Sequence, residues 1–206
     1  LEDFEKKTGD SFKPKYYHYN KRLCAHDRRS IMGCQRCITI CPADAIQSDG
    51  DSSIKVDPYL CQGCASCTTE CPTGALTIAF PNYQTILLRI QQLIEGFNSI
   101  SGQFPSICFY QEKSSQNKQA TVNQINKLSQ QLPENIIAFP LHSLAVLSVE
   151  ILLACLAMKA LSVKVLVTKN TPKSVKKLLK RNIVHAHHIL KNIQQQFGGK
   201  YYTPNI

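Results

Sequence analysis

Two patterns of apolar residues divide the chain near residue 80. Beyond that point, apolar side chains recur at the spacing of a helix, at positions 86, 87, 88, 90, 93, 94 and 97. Short apolar runs further along are typical of strands that are buried on at least one face. They predict strands at 106–110, 135–139 and 163–168.

Helices are predicted between and after these strands. The polar stretch 115–132 predicts a surface helix, and the apolar stretch 143–160 predicts a buried one. A last helix begins with Thr171 as N-cap and Pro172 at its first position. Strand and helix therefore alternate three times, which is typical of a parallel sheet with helices on both faces. We expect residues 84–195 to form a small three-layer α/β domain with a short parallel sheet.

One apolar run is long enough to compare with a membrane span. A spanning helix needs about 20 predominantly apolar residues. The run at 141–158 carries His142 and Glu150, and a predicted strand follows it closely. A buried helix and no transmembrane segment are therefore expected. No apolar signal segment is visible at the start, so we expect a cytoplasmic protein. The missing initiator Met and the uncapped tail at 196–206 suggest a piece of a longer chain.

Cysteine organises the part of the chain that precedes residue 80. Eight of the ten cysteines lie between residues 24 and 71, which indicates a local site rather than a chain-wide disulfide framework. The sequence repeats itself at a constant offset, since Cys34, Cys37, Cys41 and Pro42 recur as Cys64, Cys67, Cys71 and Pro72. Internal duplication of one small unit is the simplest explanation. Residues 1–23 are expected to form an extended arm, and residues 24–80 the duplicated domain.

The second copy of the repeat carries a complete motif, in which Cys61, Cys64, Cys67 and Cys71 are followed by Pro72. In [4Fe-4S] proteins with this spacing, three close thiolates hold three iron corners, and the cysteine before proline serves the other cluster. Paired C-x2-C units also occur in zinc sites. Zinc would need only four ligands and would explain neither the spacing nor the two Cys-Pro pairs. The pattern therefore favours iron–sulfur chemistry.

On these motifs, residues 24–78 resemble a bacterial-type two-cluster [4Fe-4S] ferredoxin domain, an α+β fold. The resemblance implies two short helices with small β-hairpins, two [4Fe-4S] clusters and one-electron transfer between them. It also implies two sets of ligands. One set consists of Cys61, Cys64, Cys67 and Cys41. The other contains Cys34, Cys37, Cys71 and a fourth residue.

The fourth ligand of that second set is where this sequence departs from the family pattern. The pattern places it at residue 31, but Ile31 cannot bind iron. Cys24 is the other cysteine nearby, and lengthening a loop from two to nine residues costs only about 1–2 kcal/mol. We therefore assign Cys24 to the set. The alternatives are a [3Fe-4S] cluster with a free Cys24, or a non-cysteine ligand such as His26. Otherwise His26 is expected at the surface of the loop.

Charge is unevenly distributed along the chain, whose net charge is +10. Residues 1–82 carry ten Lys and Arg and ten Asp and Glu, whereas residues 83–206 carry fourteen and four. This surplus is consistent with a solvated basic face, or with an acidic partner, a nucleic acid or an anionic membrane. The basic run 169–181 is a candidate docking face for an acidic redox partner. Few aromatic residues interrupt it, which disfavours nucleic-acid binding.

Several arginines and the two remaining cysteines also have predicted roles. Arg28, Arg29 and Arg36 lie near the first motif and are expected to raise the reduction potential, because they stabilise the more negative reduced state. Cys108 and Cys155 fall in apolar segments and are expected to pack in the core. No glycine-rich phosphate loop follows a predicted strand, and no catalytic constellation stands out.

The C-terminal half resembles the small α/β domains attached to ferredoxin modules in hydrogenase- and formate-dehydrogenase-linked iron–sulfur proteins, through its element order and the run FPLHSL…EILLACLAMKA…VKVLV. We expect an electron-transfer protein, or a fragment of one, that serves a partner oxidoreductase such as those systems contain. The alternatives are a basic assembly or nucleic-acid-binding module with structural clusters, and an accessory subunit. The latter would bind a small molecule at the ends of strands 106–110 and 135–139.

Overall fold

The computed structural model of the protein describes residues 15–26, 33–50, 53–112 and 133–197. The predicted polar helix at 115–132 lies outside these ranges, as do most of the predicted arm and tail. The same holds for Arg28, Arg29 and Ile31. Within the described ranges the chain forms a cysteine-rich half and an α/β half that contact each other.

The cysteine-rich half consists of short elements that reproduce the sequence repeat. Besides a 3-10 turn at Lys21–Leu23, they are β1 (Tyr17–Tyr19), α1 (Arg36–Ile40), β2 (Ile46–Ser48), β3 (Ile54–Val56), α2 (Ser66–Glu70) and β4 (Leu76–Ile78). The two helices begin at equivalent positions of the repeat, and so do β2 and β4. Each helix has as its C-cap the cysteine of a Cys-Pro pair, because proline cannot continue a helix.

Two antiparallel pairs of strands, β1 with β4 and β2 with β3, surround a small apolar core. Two-stranded sheets are marginal in water and need packing to persist. Here the packing comes from Cys37, Ile46, Ile54 and Leu76, all buried, with Tyr17 and Tyr19 against them. The two expected short helices are present, and β2 with β3 forms an expected hairpin, whereas β1 and β4 pair although β2 and β3 lie between them in the chain.

Strand β1 lies in the stretch that sequence assigned to an extended arm. Tyr17 pairs with Ile78 and Tyr19 with Leu76, and Ala79 donates its backbone N–H to the Tyr16 carbonyl at 2.9 Å. The Tyr17 hydroxyl also donates to the Val56 carbonyl at 3.2 Å. A boundary at residue 24 would separate this strand from the sheet that it completes.

The α/β half contains α3 (Tyr83–Ser101), β5 (Ser106–Gln111), β6 (Ile136–Leu141), α4 (Val149–Ala157), β7 (Val163–Leu166) and α5 (Lys173–Phe197). The three strands form a parallel sheet in the order β6-β5-β7, which confirms the predicted parallel sheet. Helix α3 begins where Asn82 Oδ1 accepts the Thr85 backbone N–H at 2.8 Å, a standard N-cap.

Helices α3, α4 and α5 all pack in one core with alternate residues of the sheet. The sheet residues in this core are Ile107, Phe109, Phe139, Leu141, Val163 and Val165. Because side chains alternate between the faces of a strand, and these positions are in register, they form one face. Three layers, with a helix on the other face as well, remain a prediction, since residues 113–132 lie outside the described ranges.

The apolar stretch 143–160 forms two helices instead of the single one predicted. A 3-10 helix covers Leu144–Val146, and α4 starts only at Val149. Ser143 caps the first, its Oγ accepting the Ala145 N–H at 3.2 Å, and Ser148 is extended just before the second. Ser143 and Ser148 thus divide this largely apolar stretch into two helices. In the described residues, no helix is both long and apolar enough to cross a membrane.

Candidate metal centre

The first group of cysteines lines one cavity of the cysteine-rich half. Cys41 comes from the end of α1, and Cys61, Cys64 and Cys67 come from the second motif. The other walls are largely apolar and include Tyr16, Tyr17, Ile46 and Val56. These four cysteines form one of the two predicted ligand sets.

The second group lines a separate cavity. Its cysteines are Cys24, Cys34, Cys37 and Cys71, and Tyr19, Ile54 and Leu76 complete much of its wall. These are the members of the other predicted set, including the displaced Cys24. All ten cysteines are free thiols. In the described ranges, no three His, Cys, Asp or Glu side chains converge to hold a single metal ion.

Tight backbone turns bring the cysteines of the second motif together. Gly63 and Ala65 both have positive φ, at 65° and 64°, a left-handed conformation that glycine adopts without penalty. A Cβ on Gly63 would lie 2.8 Å from the ring of Tyr16. The aromatic ring from the N-terminal stretch therefore packs directly on this turn, where any side chain at residue 63 would displace it.

Cys24 is held near the first motif by a closed loop. At its base, Gly33 donates its N–H to the His26 carbonyl at 2.7 Å, and Cys34 donates to the Ala25 carbonyl at 2.9 Å. A Cβ on Gly33 would lie 2.5 Å from the His26 carbonyl oxygen and closer still to that of Ala25. These two bonds bring the described ends of the loop together, so that Cys24 and Cys34 line the same cavity.

His26 is buried, so the expectation of a surface histidine is wrong. Only 4% of the residue is exposed. Its Nδ1 lies 2.9 Å from the Cys34 carbonyl oxygen and its Nε2 lies 2.8 Å from Ser48 Oγ. Because a carbonyl only accepts, Nδ1 must carry the hydrogen. Both ring nitrogens are therefore engaged in hydrogen bonds. His26 is not among the residues that line the two cavities.

Burial disfavours the thiolate form of several of these cysteines unless a cation is bound. It raises the pKa of Cys37 to about 11 and that of Cys67 to about 12, and neighbouring cysteines add to the effect. Burial and a hydrogen bond with Cys24 likewise raise the pKa of Tyr19 to about 12. Thiolates crowded in this way are stabilised by bound metal, which deprotonates a coordinating thiol outright. The residues present therefore fit an iron–sulfur group chemically.

Cys71 behaves differently because donors surround its sulfur. Burial acts to raise its pKa, but the N–H groups of Leu76, Thr73 and Ala75 and the Thr73 hydroxyl outweigh it, so the pKa is lowered. Leu76 N lies 3.5 Å from Cys71 Sγ and Thr73 Oγ1 lies 3.6 Å from it. At the repeat-related sulfur, Ala45 N lies 3.4 Å from Cys41 Sγ.

Part of the chain is similar to a known protein family. Residues 31–75 match the family described as a 4Fe-4S dicluster domain. No curated protein and no solved structure matches the chain. This part of the protein is accordingly an iron–sulfur, ferredoxin-type segment. The match begins at residue 31 and does not include Cys24.

Other residues near the cavities escaped prediction. The aromatic run at 16–19 supplies walls to both cavities, and its only sequence signal was its position before Cys24.

The remaining residues singled out in the sequence lie outside the cavities. Arg36 is exposed, as is the basic start of α5. Cys108 and Cys155 are buried in the α/β half, as expected. Burial raises the pKa of Cys155 to about 12.

Proposed function

We propose that the protein is an electron-transfer iron–sulfur protein with two [4Fe-4S] clusters. Cys24, Cys34, Cys37 and Cys71 would hold one, and Cys41, Cys61, Cys64 and Cys67 the other. The observation that carries this proposal is the division of eight cysteines into two cavities, four to each, in and beside the segment that matches the dicluster family. Each bound cluster would accept one electron from a donor and pass it to an acceptor.

The protein's own residues would hold the clusters and limit contact with water. The apolar and aromatic walls of both cavities lower the local polarity, which together with donors to sulfur sets a cluster's potential. Thiols kept reduced as ligands suit a reducing compartment such as the cytoplasm.

The partner would be an oxidoreductase with an acidic docking surface, such as a hydrogenase or formate dehydrogenase system. In support, Lys173, Lys177 and Lys180 are exposed in the first half of α5. The same helix contacts α2, which carries Cys67 and is C-capped by Cys71, through Arg181. A partner attracted to these lysines would therefore approach close to the cysteine cavities.

Iron and acid-labile sulfide analysis of protein purified without oxygen tests the proposal. We expect about eight of each per chain, as two [4Fe-4S] clusters require, with visible absorption that bleaches reversibly on reduction by dithionite. An electron must then pass from the reduced protein to a one-electron dye. Four or fewer iron atoms together with stoichiometric zinc would contradict the proposal.

A second candidate is a nucleic-acid-binding or assembly module with structural clusters. The observation in its favour is the basic surplus of residues 83–206. Binding to generic DNA or RNA that weakens steeply with salt, in a protein whose clusters dithionite does not reduce, would select this candidate over the first.

A further inference from the structure

Glu70 is an acidic residue at a position where the repeat has an apolar one. The equivalent residue in the first copy is Ile40. Glu70 closes α2, and its side chain is only 10% exposed. The helix also carries Cys67 and is C-capped by Cys71, which line different cavities. A buried carboxylate therefore directly precedes Cys71 in the chain and follows Cys67 by about one helical turn.

The partner of this carboxylate comes from the α/β half. Arg181 Nη1 of α5 lies 2.6 Å from Glu70 Oε1. A buried carboxylate needs such a counter-charge, because leaving it unpaired costs several kcal/mol. This ion pair joins residues that are 111 positions apart in sequence.

Neighbouring hydrogen bonds fix both members of the pair. Beside Glu70, the Thr69 hydroxyl donates to the Ala145 carbonyl at 2.6 Å. Beside Arg181, the Asn182 side-chain amide donates to the Leu147 carbonyl at 3.0 Å. The segment 144–147 thus receives one bond from each helix, and it holds α2 and α5 in the arrangement that lets Arg181 reach Glu70.

We propose that Arg181 is a positioning residue through which the α/β half sets the reduction potentials of the iron–sulfur sites. An ionised Glu70 opposes the negative charge that each site gains on reduction, and Arg181 cancels this effect by neutralising it. This inference rests on the proposed function. It gives the α/β half a role in electron transfer that requires no ligand or catalytic site of its own.

The coupling must operate in both directions. If contact with Arg181 favours the reduced sites, then reduction strengthens that contact by the same free energy. The junction between α2, segment 144–147 and α5 should therefore be tighter in the reduced protein. The reduction state of the sites and the strength of the contact between the two halves are therefore coupled.

A charge cycle at the pair tests the inference, with potentials measured by redox titration and electron paramagnetic resonance. Arg181→Gln should lower both potentials and Glu70→Gln should raise both. The double variant, whose pair is again neutral, should return close to wild type. Lys180→Gln removes one neighbouring positive charge without touching Glu70, and should shift the potentials less than Arg181→Gln.

Iron and sulfide content is measured first for every variant. Fewer than two clusters in the wild type would contradict the proposed function itself. Two clusters with potentials that do not follow the charge cycle would contradict only this inference.

Hydrogen exchange provides an independent readout if Arg181→Gln folds poorly. In the wild type, amides of α2 and of segment 144–147 should exchange more slowly after reduction, and in the double variant, which lacks Arg181 but leaves no buried charge unpaired, this difference should disappear. Equal exchange in the oxidised and reduced wild type would overturn the inference.

Discussion

The hydroxyl of Thr73 lies 3.6 Å from the sulfur of Cys71, and the first copy of the repeat has no counterpart to this contact. The corresponding residue there is Ala43, two positions after Cys41. Each sulfur also has a backbone N–H near it, since Ala45 N lies 3.4 Å from Cys41 Sγ and Leu76 N lies 3.5 Å from Cys71 Sγ. The two cysteines of the Cys-Pro pairs therefore differ by this side-chain donor.

This difference predicts opposite effects of exchanging the two residues. A donor to a thiolate sulfur stabilises the reduced cluster. Thr73→Ala should therefore lower the potential of the cluster that Cys71 binds, and Ala43→Thr should raise that of the other. For a hydrogen bond of about 0.5–1 kcal/mol, the one-electron shift is roughly 20–45 mV. Redox titration followed by electron paramagnetic resonance measures both. Thr73→Ser keeps the hydroxyl and should keep the potential, and a fall as large as that of Thr73→Ala would contradict the explanation.

Cys24→Ser should remove one cluster and leave the other. The serine oxygen is a poor substitute for a thiolate. The cysteines that line the same cavity as Cys24 are Cys34, Cys37 and Cys71. Iron content should fall from about eight to about four atoms per chain, or to about seven if a three-iron cluster survives.

The matched variant is Cys61→Ser, which should damage the other cluster. Spectra of the two variants should then be complementary. An unchanged pair of clusters in Cys24→Ser would show that another residue supplies the fourth ligand.

Gly33→Ala should loosen the loop that holds Cys24. Its Cβ would meet the carbonyl oxygens of Ala25 and His26 at distances that real side chains do not tolerate, and relief by backbone shifts costs about 1–3 kcal/mol. Thermal unfolding should move to lower temperature, and iron should be lost preferentially from the cluster of Cys24.

Gly96→Ala provides the control, because it lies within α3 and a Cβ there meets nothing within 4 Å. Replacing an open helical glycine stabilises by about 0.5–1 kcal/mol. A loss of stability in Gly96→Ala, or none in Gly33→Ala, would contradict the packing described here.

Alkaline pH should destabilise the α/β half through Cys155. Burial raises the pKa of this thiol from 9.0 to about 12, so the folded protein keeps its proton where the unfolded chain has lost it. The resulting stability is complete below pH 9 and is lost as the pH rises towards 12, by at most about 1.4 kcal/mol per pH unit. Denaturant unfolding of wild type and Cys155→Ala at pH 8 and pH 10 measures this. The gap between the two proteins should narrow at pH 10, and a constant gap would refute the assignment.

Sequence predicted those features that repeat or alternate. Comparison of the two copies of the repeat assigned Cys24 to the same set as Cys34, Cys37 and Cys71, and these four cysteines share a cavity. Apolar runs predicted β5, β6 and β7 and their parallel arrangement. These predictions are robust because a repeat or a regular apolar spacing involves many residues, so that no single contact decides the result.

Features that depend on a single distant partner could not be predicted. His26 looked solvated because the loop around it is polar, and its burial depends on Ser48 and the Cys34 carbonyl. Glu70 gave no sign of its partner, since Arg181 is one of many basic residues on α5. Strand β1 is three residues long, too short for an alternation to be recognised.

The pairing of β1 with β4 brings the two ends of the cysteine-rich half together. Tyr17 stands opposite Ile78, so the chain enters and leaves this unit at the same edge. A unit with adjacent ends can be joined into a longer polypeptide at one point of its surface without disturbing its interior. This half therefore has the geometry of a unit that can be inserted into different chains, and here the bonds of α2 to Ala145 and Arg181 connect it to the α/β half.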